Sequence, residues 1–195
     1  MKKITFIYAL LLVSGIACKG QISTSLTLYN SEFNWTIVIP EDFNSVSAEE
    51  WSRLQNKGED AVEKTYDAEV TNQVKTIFVF KSGDFNYLES NQQPYDVSVD
   101  GNYLETCKQI KEILFETFRT QMPNAKIDTL SAVETISGLE FQKFRVDIDM
   151  PNGMKFTSLL YSRLFGKKEF SVNMMYVEAS KGQQMLDAWR NSKFE

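Results

Sequence analysis

The segment Lys143-Phe144-Arg145-Val146-Asp147-Ile148-Asp149-Met150, closed by Pro151-Asn152-Gly153, alternates charged and apolar residues without a break and then stops at turn residues. A period of two places Phe144, Val146, Ile148 and Met150 on one side of a strand and Lys143, Arg145, Asp147 and Asp149 on the other. Pro-Asn-Gly reverses the chain tightly, so the following strand returns antiparallel. That return runs from Met154 to Phe165, Gly166-Lys167-Lys168 turns again, and Phe170, Val172, Met174 and Tyr176 mark the inward side of a third strand. Upstream, Ala125 to Ile136 reads as a weaker strand leading into Gly138. The C-terminal third is therefore an antiparallel meander.

Outward from the meander the period changes. Tyr103, Cys107, Ile110, Leu114 and Phe118 recur at spacings of three and four, which predicts a helix over 101–121 with one core face, Asp100 at its start and Pro123 past its end. Cys107 lies on that apolar stripe and reads as a small buried hydrophobe. A closing helix follows the meander, with Ser180 as its expected cap and Met185, Leu186 and Trp189 inward. Toward the N-terminus, 24–39 reads as a hairpin ending at Pro40. Ser47 and Glu50 form a capping box for a helix over 48–56, with another turn or two in 59–66. Lys75 to Lys81 is a buried strand. The stretch 83–100, rich in Asn, Gln and Ser, reads as a long loop. The fold class is α+β, an antiparallel sheet with helices packed on its faces.

This order of elements resembles the PsbP-like (Mog-like) fold, most specifically in Phe33-Asn34-Trp35-Thr36-Ile37-Val38-Ile39-Pro40 and in Trp189 to Phe194. The resemblance implies an α/β/α sandwich over nearly all of the chain beyond its first twenty residues. It also implies an accessory, chaperone-like or binding role, in a family that includes many exported bacterial lipoproteins. It carries over no catalytic residue.

The first twenty residues read as a secretory signal: Lys2 and Lys3, an apolar run from Ile4 to Val13, and the exit Ser14-Gly15-Ile16-Ala17-Cys18-Lys19-Gly20. Gly15-Ile16-Ala17-Cys18 resembles the lipobox of bacterial lipoproteins, with Gly15 where leucine is usual, and this marks Cys18 for lipid attachment. Cleavage falls before Cys18 or, for a freely secreted or periplasmic form, before Gln21. The expected remainder, 21–195, is long enough for a single domain with a sizeable core.

Composition excludes several functions. Without Lys2 and Lys3 the chain carries 19 basic and 26 acidic residues, a net charge of −7 that repels nucleic acid. The chain contains no histidine, which removes histidine-based nucleophilic catalysis and histidine-ligated metals. Neither a metal nor a cofactor is expected. Asp147 and Asp149 share a strand face with Lys143 and Arg145, so ion pairing explains them better than acid–base catalysis, and Arg163 is a further expected partner. Met174 and Met175, with Met154, read as core filling. The expected binding surface is Phe85, Tyr87 and Tyr95, aromatics on the 83–100 loop, and the alternative is that Phe85 and Tyr87 continue a strand while Tyr95 plugs the sheet edge. Together these readings point to an exported, lipid-anchored, non-catalytic protein of the bacterial cell envelope, on the periplasmic side of a membrane. Its partner would be another envelope protein or a small ligand, and the competing reading is a histidine-free hydrolase using carboxylates.

Overall fold

The computed structural model describes residues 4–5, 26–66, 70–71 and 73–195. Apart from Ile4 and Thr5, which pair in parallel with Val70 and Thr71, the expected signal segment lies outside the described residues, as does Cys18.

Two hairpin strands open the described fold, β1 (Thr27–Asn30) and β2 (Trp35–Val38), followed by the short β3 (Asn44–Ser45) and the helix α1 (Ala48–Tyr66). Next come β4 (Lys75–Ser82) and β5 (Asn86–Pro94), then α2 (Val97–Asp100) and α3 (Tyr103–Gln121). The meander is β6 (Lys126–Ile136), β7 (Leu139–Asp149), β8 (Lys155–Phe165) and β9 (Lys168–Tyr176), and the chain closes with α4 (Ala179–Arg190) and β10 (Lys193–Phe194). Seven strands form one antiparallel sheet in the order β3-β4-β5-β9-β8-β7-β6, and β10, β2 and β1 form a second, smaller one.

Period-two alternation in the meander splits its side chains between two cores. On one face, Leu88, Phe141, Leu159, Tyr161, Phe170, Val172 and Met174 pack against Trp35 and Ile37 of the small sheet and Met185 and Trp189 of α4. Trp35, Phe170 and Trp189 form a T-shaped and stacked aromatic group with centroids 5.0–6.4 Å apart. Gly182 brings α4 down onto β9, because a Cβ there would meet the Tyr176 ring at 2.6 Å. On the other face, Val79, Phe144, Val146, Ile148, Leu160 and Met175 pack against Trp51 of α1 and Ile110 and Phe118 of α3. Helices therefore cover both faces, as the sequence pattern requires.

Four local expectations are corrected. Ser180 does not cap α4: it lies inside the helix, whose N-cap position is Glu178. Helix α1 runs unbroken through Gly58 to Tyr66 instead of stopping near it. The N-cap of α3 is Asn102, whose Oδ1 accepts from the Leu104 and Glu105 amides at 3.0 and 3.3 Å, while Asp100 ends α2. Most consequentially, 86–94 is no loop. It is β5, hydrogen-bonded on both sides by β4 and β9. Its junction with β4 includes a bulge between Thr76 and Phe78, where Ser90 Oγ accepts from the Phe78 amide at 3.0 Å and donates to its carbonyl at 3.1 Å.

Candidate functional site

The pairing of β5 with β9 sets Glu89 opposite Asn173, Asn91 opposite Ser171, and Gln93 opposite Glu169. All six belong to the sheet face that packs against α1 and α3, since they alternate with Leu88 on β5 and with Phe170, Val172 and Met174 on β9. A polar seam therefore runs through the middle of a core layer. Glu89, Asn91, Glu169 and Ser171 are each at most 3% exposed.

Each carboxyl group gathers its own donors. Glu89 Oε1 accepts from Trp51 Nε1 at 2.8 Å and Gln55 Nε2 at 3.0 Å, both from α1, and its Oε2 accepts from Asn173 Nδ2 at 3.2 Å. Glu169 accepts from Gln93 Nε2 at 2.5 Å and from the Tyr103 hydroxyl of α3 at 3.2 Å. That hydroxyl also lies 3.0 Å from Ser162 Oγ, which in turn is 3.8 Å from Cys107 Sγ. Four residues of strand separate the two acids, about 13 Å. Neither forms an ion pair with a Lys or Arg among the described residues. Burial pushes both above the ordinary glutamate range, and the hydrogen bonds they accept only partly offset it. Burial likewise pushes the Cys107 thiol up, which leaves it poorly nucleophilic.

This arrangement fixes helices to a sheet. Each acid is tied to side chains from another layer: Glu89 to α1, Glu169 to α3. Enclosed at 2% and 1% exposure, the two carboxyls have little contact with solvent. Sequence reasoning missed all six seam residues. The only available signal was the polar run of 89–93, which reads as loop because nothing in it announces burial.

The expected aromatic surface does not exist as an exposed patch. Tyr87 is buried and packs its ring on Trp51 at 5.1 Å; Phe85 is half-buried and meets Phe156 at 6.0 Å. Tyr95, 3% exposed, donates to the Gly101 carbonyl at 3.1 Å, shares a bond with Thr106 Oγ1 at 2.9 Å and stands edge-on to Tyr103. The physical reason is the strand: once 86–94 pairs on both sides, its flanking aromatics are drawn under the helices. Exposed apolar side chains in this region are instead Val97 and Val99 on α2 and Leu104 on α3.

The acidic pair of β7 behaves as ion pairing requires. Arg145 binds Asp147 through two nitrogens at 2.7 and 2.9 Å, and Lys155 lies 3.2 Å from Asp149. Arg163 goes elsewhere, to the Glu140 carbonyl at 2.7 Å. Met174 and Met175 fill the two opposite cores, while Met154 is exposed. Cys107 is buried, as its helix position predicts. Among the described residues there is no group of three or more His, Cys, Asp or Glu side chains placed to hold a metal ion, and no helix long and apolar enough to cross a membrane.

An antiparallel sheet with helices on both faces, a second small sheet and a closing helix defines the α+β class to which the chain belongs. Within that class the fold is PsbP-like. The chain is similar to the solution structure of cyanobacterial PsbP (CyanoP) from Synechocystis sp. PCC 6803, with a TM-score of 0.56 and 9% sequence identity over 92% of this chain and 98% of that one. No family model and no curated protein matches the sequence.

Proposed function

We propose that the chain is an exported accessory protein of a bacterial cell envelope, lipid-anchored through Cys18, that binds another envelope component or a small ligand and performs no catalysis. The observation that carries this reading is a PsbP-like fold spanning nearly the whole chain behind a signal-like N-terminus. Two features support a non-catalytic role. The chain has no histidine, and the buried acids that could serve a carboxylate hydrolase spend their oxygens on holding α1 and α3. Several acyl chains on Cys18, at about 0.8 kcal/mol per buried methylene, would hold the protein at a membrane surface.

Fractionation of a host expressing the natural chain and Cys18→Ser tests the anchor. The natural chain should sediment with membranes and the variant should be released; equal partitioning of the two would exclude lipid attachment. Affinity capture of the tagged chain from its native envelope then tests the accessory role, which predicts a specific co-purifying component that salt washing does not remove.

A further inference from the structure

The two edges of the seven-stranded sheet are finished differently. At one, β3 contributes only Asn44 and Ser45, paired with Lys81 and Phe80. At the other, β6 presents eleven residues that pair with β7 along their whole length and with nothing on the opposite side among the described residues. Side chains on both faces of β6 are exposed from Asp128 to Val133, with Leu130 at 56% and Val133 at 55%. A long, unblunted edge with apolar side chains is a template for another strand.

The backbone polarity of that edge follows from the β6–β7 turn. Ile136 and Leu139 flank Ser137 and Gly138, both at positive φ (49° and 78°), the two-residue turn whose flanking pair exchanges hydrogen bonds. Counting back by twos, the even-numbered residues bond β7. The amides and carbonyls of Ile127, Thr129, Ser131, Val133 and Thr135 therefore point outward.

We infer that this edge pairs with the same edge of a second copy, antiparallel about a two-fold axis through Ser131. Closed two-fold pairing requires a self-complementary surface, and β6 supplies one. Ser131 is the midpoint of the strand, so all eleven residues find partners: Leu130 meets Ala132, Thr129 meets Val133, and Ile127 meets Thr135, each twice. The exposed apolar side chains of the strand are covered in the process. The carboxylates that come opposite each other keep their own cations: Asp128 is paired with Lys126 at 2.7 Å, and Glu134 with Lys143 and Arg190, each at 2.7 Å. Two seven-stranded sheets become one continuous sheet.

The test uses the full chain with Cys18→Ser, so that no lipid can bring copies together. Sedimentation velocity should show a concentration-dependent dimer at micromolar chain. Ser131→Pro deletes the outward amide on the axis while leaving every β6–β7 bond in place, and should shift the protein to monomer with an unchanged near-UV spectrum. A second pair of variants needs no loss of association. Ser131→Cys brings two thiols together across the axis at a Cα separation of about 5.5 Å, within disulfide range, and should cross-link on mild oxidation. Val133→Cys, opposite Thr129, should not. A monomeric natural chain, a dimeric Ser131→Pro, or cross-linking through Val133→Cys but not Ser131→Cys would each overturn the proposal.

Discussion

Along β9 the side chains of Phe170, Val172 and Met174 enter the aromatic core under α4, whereas Glu169, Ser171 and Asn173, interleaved with them, enter the seam under α1 and α3. One strand thus serves two interiors of opposite character. The aromatic face is held by area and shape, and its contacts are non-directional. The seam face is held at its centre by hydrogen bonds with fixed geometry, at the cost of burying two acids. The difference assigns roles: the aromatic side supplies most of the cohesive energy, and the seam specifies where α1 and α3 lie.

The largest expected contrast is in truncation. Trp189→Ala empties a fully buried site among Trp35, Phe141, Tyr161 and Phe170 and should cost about 3–5 kcal/mol in urea unfolding. A loss under about 1 kcal/mol would mean that the aromatic side is not the dominant core.

Next come the carboxyl groups. Glu134 lies on the aromatic side of the sheet beside Tyr161, and it is paired with cations where Glu89 and Glu169 are not. Burial pushes Glu134 up, but hydrogen bonds from Arg190, Lys143 and Tyr161 outweigh it and bring it down to about 2. Its folded value is lowered, so its stabilisation is present above the ordinary value of 4.5 and is lost as pH falls from there toward 2. Glu134→Gln should remove on the order of 2–3 kcal/mol at neutral pH and flatten the acid limb of the stability curve. An unchanged acid limb would show that the pairing contributes nothing.

The smallest effect is expected at Thr117 of α3, whose hydroxyl is buried without a hydrogen-bond partner. Thr117→Val keeps the shape and removes a desolvated polar group, so stability should stay equal or rise by about 1 kcal/mol. A loss of more than that would place an unseen partner at this hydroxyl.

How much of this was legible in the sequence depends on which face is considered. The meander, the α3 stripe and the inward Met185 and Trp189 were readable because apolar residues at a fixed period have one physical reading. Tyr87 and Tyr95 admit two readings, an exposed surface or a strand and its edge, because the segment between them carries Glu89, Ser90, Asn91, Gln92 and Gln93, and a buried polar strand has the composition of a loop. Only the pairing partners decide it. Gln93, half-buried, joins the seam because Glu169, 76 positions later, lies across from it, and no local pattern encodes that distance. Helix α1 shows the same limit, since Gly58 reads as a stop while Trp51 and Val62, on either side of it, are both buried.

The contrast between the two faces is tested most directly by unfolding free energy measured from pH 4.5 to pH 8 for the natural chain and for Glu89→Gln with Glu169→Gln. Both acids have folded values raised by burial, so the natural chain should lose stability as pH rises above the ordinary glutamate value, and the double variant should lose that slope. Superimposable slopes for the two proteins would contradict the assignment of Glu89 and Glu169 as acids buried without a compensating cation.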